Sequence, residues 1–186
     1  MRIISGELKG RKLNFLKNKK TRPLKDNVKE NIFNIIEHSK RINLKIKNSN
    51  VLDLYSGVGS FGIECISRGA KKVTFIERDI NASKILKENL NKFSLFKKTT
   101  VYNNKIENIL TENKSKKFNI FFFDPPFQDF DFVNNIKLIK KNNIFKTKHI
   151  VIIHREKNTI DKFENFLKII EIKNYGRSKI LFGLFI

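Results

Sequence analysis

The stretch that decides the fold is VLDLYSGVGSFGIECISRG, residues 51–69. Its first residues form a short apolar run typical of a buried strand, and its later residues have the apolar spacing of a helix that ends at Gly69. Between them, Gly57, Gly59 and Gly62 occupy the turn. Glycines at a strand-to-helix turn let the backbone pass close to a ligand, and the following helix offers unpaired amides. The sequence therefore predicts an α/β fold with a ligand-binding turn at this point.

Strands and helices continue to alternate along the chain after this turn. Strands are predicted at residues 50–56, 71–77, 100–105, 118–124, 149–155, 168–174 and 179–185, and helices at 61–69, 81–93, 131–141 and 160–167, with a short helical piece between the strands at 100–105 and 118–124. Asp79 is expected to cap the helix at 81–93. Alternation of this kind indicates a mostly parallel sheet with helices on both faces.

The residues before this sheet have a different character. Residues 1–24 alternate weakly around Gly6 and Gly10 and predict a small hairpin followed by a basic loop. From Asp26, a candidate helix N-cap, a helical period runs to about residue 38 or 39, and the basic run 40–47 then leads into the sheet. We expect residues 1–48 to form an extension packed on a core domain of residues 49–186.

The composition fits one domain with a strongly basic surface. The chain has 186 residues, 40% of them hydrophobic, and a formal net charge of +21. Residues 1–50 hold fourteen Lys or Arg against four Asp or Glu, a net of +10. Such a charge favours a polyanionic partner, although a general bias towards Lys, Asn, Ile and Phe would also raise the lysine count. The candidate phosphate contacts are Arg2, Lys9, Arg11, Lys12 and Arg22.

Several classes of protein are not expected. No run of eighteen uncharged apolar residues is present and the start lacks a secretory h-region, so we expect a cytoplasmic protein without a membrane partner. The single Cys65 lies in an apolar run, which excludes an internal disulfide and indicates a core position. His38, His149 and His154 lack metal-ligand spacing, so no metal site is predicted.

Two carboxylates indicate the ligand at the glycine turn. Asp53 precedes Gly57 by four positions; its charge would repel a pyrophosphate but suits the cationic amino-acid end of S-adenosylmethionine. Glu77 ends the next strand, where it can accept hydrogen bonds from both ribose hydroxyls of a nucleoside. Two alternatives are a nicotinamide-dependent oxidoreductase that uses the same turn and a tight turn without any ligand.

The motif DPPF, residues 124–127, is the sharpest chemical signal. It follows the apolar run FNIFFF, so Asp124 should emerge at the carboxyl edge of the sheet beside the glycine turn. The prolines fix the backbone, so that Asp124 and the Pro125 carbonyl could accept the two hydrogens of an exocyclic amine. Phe127 could stack on the same base. The alternative is a proline-rich turn that only ends a strand.

These segments together resemble the RsmD family of bacterial ribosomal RNA methyltransferases. The resemblance covers almost the whole chain and rests on RIISGELKGRKL, TRPLKDNVKENIFNI, VLDLYSGVGSFGIECISRGA, FIERD and FFFDPPF. It implies a Rossmann-like sheet of seven strands, mostly parallel with an antiparallel last strand, plus a small N-terminal hairpin and helix extension. It also implies methylation of the N2 amine of a guanine in small-subunit ribosomal RNA, free or in an assembled particle. We expect the protein to be a monomer.

The resemblance also assigns site residues. Asp124, Pro125, Pro126 and Phe127 would hold the guanine. The predicted cofactor-binding residues are Asp53, Tyr55, Ser56, Gly57, Gly59, Glu77, Arg78, Asn104, Lys105, Ile106 and Asp124. Lys105 aligns with a family Asp or Asn that accepts from the adenine amine, which lysine cannot do. Either Asn104 serves instead, or backbone near Ile106 and apolar packing hold the adenine.

The sequence differs from the family pattern at further positions, and three other functions are alternatives. Leu24, Asn27 and Lys29 stand where relatives have an Arg-Pro-Thr run and two arginines, which weakens any inference about single RNA contacts. A DNA or RNA adenine-N6 methyltransferase would use the same DPPF chemistry. A nicotinamide-dependent oxidoreductase would leave DPPF and the charge unexplained. A non-catalytic RNA-binding assembly factor would keep the fold without the reaction.

Overall fold

The sheet is built outward from a central strand that ends at the glycine turn. The computed structural model describes residues 1–16, 24–112, 115–163 and 165–186. Within these ranges the strands are β1 (Asn50–Leu54), β2 (Lys72–Ile76), β3 (Thr99–Tyr102), β4 (Phe118–Phe123), β5 (Phe145–Glu156), β6 (Leu167–Tyr175) and β7 (Ser178–Phe185). The helices are α1 (Asp26–His38), α2 (Ser60–Ser67), α3 (Ile80–Lys92), α4 (Ile106–Glu112) and α5 (Phe132–Lys141), with a short 3-10 helix at Phe96–Lys98.

The strand order confirms the predicted fold class. It is β3-β2-β1-β4-β5-β7-β6. The pairs among β1 to β5 are parallel, and β7 is antiparallel to both β5 and β6. The fold is therefore a Rossmann-like seven-stranded sheet with an antiparallel last strand.

Both faces of the sheet are covered, which explains why its central strands are apolar at nearly every position. On one face, Phe61 of α2 stacks between Phe33 of α1, at a centroid distance of 5.1 Å, and Phe122 of β4, at 4.0 Å. On the other face, Phe121 and Phe123 pack with apolar residues of α4 and α5. The stack through Phe61 joins α1, which belongs to the predicted extension, to the main sheet.

The N-terminal arm, residues 1–16, is less regular than the predicted hairpin. Its antiparallel pairing is a single bridge between Arg2 and Lys12, so two strands are not formed. Gly6 explains the irregular path: it has a φ of +82°, and a Cβ there would lie 1.9 Å from the Ser67 carbonyl oxygen. The arm thus makes direct backbone contact with α2. The predicted basic loop at 17–23 lies outside the described residues.

A buried carboxylate, Glu64, fastens the arm to the core. Its two oxygens accept hydrogen bonds from the amides of Ile4, at 2.8 Å, and Ser5, at 2.9 Å. Lys29 of α1 places its ammonium 3.6 Å from the same carboxylate and donates to the Arg2 carbonyl at 2.8 Å. Because Lys29 is fully buried, it is a structural cation here and not an exposed RNA contact.

Two local predictions are wrong. No helix forms over the described part of 160–167: the chain there is loop and turn, and β6 begins at Leu167. The reason is tertiary, because Asp161 is drawn into an ion pair with buried Arg155, while Ile160 is 87% exposed and does not contribute to a buried helix face. At α1, the N-cap residue is Lys25 and not Asp26, which lies in the first turn. Asp26 still suits that position, since a carboxylate is favourable near a helix N-terminus.

The other local predictions agree with the structure except at element ends, where β1 stops two residues and β3 three residues before the predicted end. Asp79 caps α3, its side chain accepting from the Ala82 amide at 2.8 Å. Gly69, with a φ of +91°, follows the end of α2, and Cys65 is fully buried. β5 is longer than predicted: residues 145–148 join it through Phe145, which pairs with Phe118 beyond a register shift.

Candidate active site

The register of three parallel strands brings the predicted site together. Leu54, the last residue of β1, pairs with Ile76 of β2 on one side and with Phe123 of β4 on the other. The residues that follow these strands, among them Glu77 and Asp124, therefore emerge at one edge of the sheet. There they line a single cavity of about 910 Å³.

The cavity contains nearly all the residues predicted to bind the cofactor and the acceptor base. It is lined by the predicted residues Asp53, Tyr55, Ser56, Gly57, Glu77, Arg78, Asn104, Lys105, Ile106, Asp124, Pro125, Pro126 and Phe127. Gly59 does not line it. A Cβ on Gly59 would lie 2.3 Å from the Leu86 side chain, so this glycine lets the turn pack against α3. Gly57, whose added Cβ would meet nothing within 4 Å, has open space beside it.

Asp53 lies beside the glycine turn, and only one of its two carboxylate oxygens accepts a hydrogen bond within the part of the protein that the structure describes. Its Oδ2 accepts a hydrogen bond from the Gly62 amide at 2.9 Å. Its Oδ1 is buried and has no hydrogen-bond partner among the residues that the structure describes. Burial raises the pKa of this carboxyl well above its usual range, against the opposing effect of the Gly62 amide. A buried carboxylate oxygen without a partner fits a cationic ligand group such as the ammonium of S-adenosylmethionine.

Glu77 connects the loops after β1 and β2. Its Oε2 accepts from the Gly57 amide at 2.7 Å and its Oε1 accepts from the Asp79 amide at 2.8 Å. Each oxygen has a second lone pair, so the carboxylate can also accept from ribose hydroxyls. Burial raises the pKa of Glu77, and these two amides act in the opposite direction.

The loop after β3 contains the two candidates, Asn104 and the backbone near Ile106, for holding the adenine ring. The Asn104 Oδ1 accepts from the Lys105 amide at 2.7 Å and from the Asn108 side chain at 3.0 Å. Both of its lone pairs are therefore used within the protein. Ile106 is buried and lines the cavity. These contacts favour the alternative in which backbone and apolar packing near Ile106 hold the ring.

Two residues of β5 form hydrogen bonds with the DPPF loop. The Asp124 Oδ1 lies 2.8 Å from the His154 Nδ1. Arg155, which is fully buried, donates to the Pro126 carbonyl at 3.1 Å and forms a two-bonded ion pair with Asp161, both bonds at 3.2 Å. A buried guanidinium with this many partners fixes the loop's backbone.

These supporting residues were not predicted from the sequence. His154, Arg155 and Asp161 carry no recognisable motif. Their role becomes apparent only in the structure, where Phe123 and Ile153 are register partners, which puts Asp124 beside His154. Asn135 of α5 was also missed: it donates to the Tyr55 hydroxyl at 3.2 Å and lines the cavity.

The predicted RNA contacts lie on the arm, outside the cavity lining. Arg2, Lys9, Arg11 and Lys12 are exposed, whereas Arg22 lies outside the described residues. Lys92 of α3 joins them: it donates to the Lys12 carbonyl at 2.9 Å, and its ammonium and the Arg11 guanidinium lie 5.6 and 5.8 Å from the centre of the Phe93 ring. We call Lys9, Arg11, Lys12 and Lys92 the basic cluster. The arm also reaches the cavity, which Met1, Phe15 and Leu16 help to line.

Comparisons with known proteins decide the family. A family model described as Conserved hypothetical protein 95 matches residues 1–183. Ribosomal RNA small subunit methyltransferase D of Buchnera aphidicola subsp. Baizongia pistaciae is 36% identical over 162 residues, which cover 87% of this chain and 79% of that protein. This chain belongs to the RsmD family of methyltransferases.

Further relatives agree with this RsmD assignment. The protein of the same name from Haemophilus influenzae is 34% identical over 160 residues, covering 85% of this chain and 80% of its own. The solved yhhF structure from Escherichia coli superposes with a TM-score of 0.84 at 27% identity, covering 98% of this chain and 96% of that one. The predicted enzyme class, a methyltransferase, is confirmed by the names of these relatives. The predicted cofactor, S-adenosylmethionine, is the one named for methyltransferases that share this fold. Within the described residues, no helix is long and apolar enough to cross a membrane.

Proposed function

We propose that this RsmD-family protein transfers a methyl group from S-adenosylmethionine to the exocyclic N2 amine of a guanine in small-subunit ribosomal RNA. The observation that carries the proposal is the shared cavity, in which Asp53 and Glu77 lie on the cofactor side and the DPPF loop lies on the acceptor side. The names of the relatives from Buchnera aphidicola and Haemophilus influenzae support ribosomal RNA as the substrate.

The cofactor half of the proposal rests on carboxylates. Asp53 would hold the amino-acid end of the cofactor through its unpartnered Oδ1, and Glu77 would hold the ribose. Gly57 leaves room for the ligand beside its backbone. The cavity volume of about 910 Å³ falls within the range of small-molecule and cofactor sites.

Two oxygens of the DPPF loop can accept hydrogen bonds from the amine of the guanine. Among the described residues, no hydrogen bond is found to the Asp124 Oδ2 or to the Pro125 carbonyl. Two such acceptors on a rigid loop can take the two hydrogens of one amine and hold its nitrogen in a single orientation. Phe127 lines the same cavity and would stack on the base.

An exocyclic amine of a base is a weak nucleophile, because its lone pair is delocalised into the ring. Hydrogen bonds to its two protons draw electron density towards the nitrogen and stabilise the charge that develops there. When bound, S-adenosylmethionine would supply an electrophilic methyl carbon and leave as S-adenosylhomocysteine, and the methylated nitrogen would then release one proton. Asp124 would take that proton, since its Oδ2 would already accept a hydrogen bond from the amine.

A base inside a helix cannot reach the DPPF loop, so the guanine must be unpaired or turned out of its stack. Holding an RNA backbone near the cavity requires positive charge. The basic cluster would supply it on the arm and at the end of α3, and Phe15 and Leu16 of the arm extend to the cavity. The RNA-binding role of residues 1–48 is part of this proposal.

Transfer of labelled methyl groups tests the proposal. Purified protein would be given undermethylated small subunits, free small-subunit RNA and duplex DNA, followed by nucleoside analysis by mass spectrometry. We expect N2-methylguanosine from one of the RNA substrates. N6-methyladenosine, or methylation of DNA alone, would contradict the proposed acceptor.

A further inference from the structure

Asp124 forms a hydrogen bond with His154, which has no role in the methyl transfer described above. Phe123 of β4 pairs with Ile153 of β5, and the next residues along these parallel strands are Asp124 and His154. Their side chains meet at 2.8 Å between the Asp124 Oδ1 and the His154 Nδ1. Both residues line the cavity, with side chains that are 24% and 12% exposed.

The direction of this hydrogen bond follows from the chemistry of the two groups. An ionised carboxylate only accepts hydrogen bonds, so the His154 Nδ1 must carry the proton and donate it. The bond occupies the Asp124 Oδ1, whereas Oδ2 accepts from none of the residues that the structure describes. One carboxylate oxygen is thus held by the protein and the other remains for a ligand.

Resting on the proposed function, we infer that His154 is a positioning residue that fixes the Asp124 carboxylate so that its Oδ2 accepts from the acceptor amine. Without the imidazole, the carboxylate at the start of the loop would be free to rotate about its side-chain torsions. The Phe127 ring packs edge-on against the same imidazole, with centroids 5.9 Å apart. His154 therefore orients both the residue that would hold the amine and the residue that would stack on the base.

Substitutions that keep or remove the Nδ1 donor test this role. His154→Leu removes the donor at similar volume, while His154→Asn places an amide N–H close to the position of the imidazole Nδ1. We expect His154→Leu to lower kcat by about 10- to 100-fold, because displacing a reacting group by about 1 Å can cost that much. His154→Asn should recover most of the loss. The KM for RNA and the Kd for S-adenosylhomocysteine should stay near the wild-type values in both variants.

The His154 tautomer can be measured without catalysis, so this measurement does not depend on the activity of the variants. Nitrogen NMR of the unliganded protein should show His154 as the Nδ1–H tautomer, and Asp124→Ala should abolish that preference. An unchanged tautomer in Asp124→Ala would overturn the inference. So would full kcat in His154→Leu, or a His154→Asn variant no more active than His154→Leu.

The NMR comparison also separates this inference from the proposed function. Wild-type protein that methylates no RNA guanine would contradict the proposed substrate, and the tautomer measured in wild type and Asp124→Ala would then decide the positioning role alone. Glu112→Gln, a change on the exposed side of α4, serves as the matched control for both measurements.

Discussion

The Glu77 carboxylate accepts a hydrogen bond from the Gly57 amide at 2.7 Å, which ties the loop after β2 to the glycine turn after β1. The same carboxylate accepts from the Asp79 amide at the entrance to α3. Glu77 therefore shapes the side of the cavity proposed for the cofactor as well as lining it.

Glu77→Gln tests this double role. The substituted amide has one oxygen, so it can replace only one of the two accepted bonds, and its nitrogen cannot accept from a ribose hydroxyl. We expect S-adenosylhomocysteine to bind about 10-fold more weakly and the free energy of unfolding to fall by about 1–2 kcal/mol. Calorimetric titration and urea unfolding measure the two effects, with Glu112→Gln as control. Unchanged affinity would contradict the ribose assignment.

Asp53→Asn should uncouple stability from cofactor binding. Because burial raises the pKa of Asp53 in the folded protein, its contribution to stability is present below the unfolded pKa near 3.8 and is lost as the pH rises through the folded pKa. The substituted amide would not titrate, and its oxygen could still accept from the Gly62 amide. Relative to wild type, the variant should therefore gain stability as the pH rises above about 4, where the unfolded wild-type chain ionises Asp53 and the folded one resists it.

The same variant should bind the cofactor poorly. Loss of the charge opposite an ammonium group predicts about 10- to 100-fold weaker binding of S-adenosylmethionine, since a hydrogen bond to a charged group contributes about 1.5–3 kcal/mol. Urea unfolding at several pH values and calorimetric titration give the two results. If Asp53→Asn were less stable than wild type at every pH, the Asp53 Oδ1 could not be a buried oxygen without a hydrogen-bond partner.

Asp124→Ala should remove catalysis and spare binding. The proposed amine contact matters mainly as charge develops on the nitrogen, so kcat should fall by about 10²- to 10³-fold. RNA binding, measured by filter retention, and S-adenosylhomocysteine binding should stay within about twofold of wild type. Methyl transfer at the wild-type rate would show that another group holds the acceptor.

The basic cluster should control RNA affinity through salt. Each neutralised phosphate contributes close to one to the slope of log K against log salt, so Arg11→Gln with Lys92→Gln should reduce the slope by about 1–2. Lys168→Gln, on the exposed outer strand β6, serves as the control. Equal slopes for both variants would place the RNA elsewhere on the protein.

Removing the ammonium of Lys29 should destabilise the whole protein. Lys29→Met leaves buried Glu64 without one of its cations, which costs about 3–5 kcal/mol for a buried pair. The loss should appear as a lower midpoint in urea unfolding, and Glu64→Gln in the same chain should recover part of it. A midpoint close to that of wild type would contradict the structural role of this cation.

Most of the sheet was predictable because its strands and glycine turn follow local rules. The apolar run before Asp124 predicts a buried parallel strand, and the turn at Gly57 predicts the ligand edge. Their convergence in one cavity follows from the parallel topology, so the sequence sufficed for it.

The errors lie where distant contacts override local preference. The helix predicted near residue 160 is absent because Asp161 pairs with Arg155, a partner that no spacing in the sequence reveals. Nothing in the spacing around Lys29 indicates that Glu64 holds it in the interior. The position of Arg155 beside the DPPF loop follows only from the register between β4 and β5.

The hydrogen bonds from the Ile4 and Ser5 amides to Glu64 have a geometric consequence. Glu64 belongs to α2, whose first residues line the cavity, so these bonds attach the start of the arm directly to one wall of the cavity. A nucleic acid strand bound along the arm would therefore lie at a constant distance from the DPPF loop. The fold itself would then set how many nucleotides separate the bound phosphates from the reacting base.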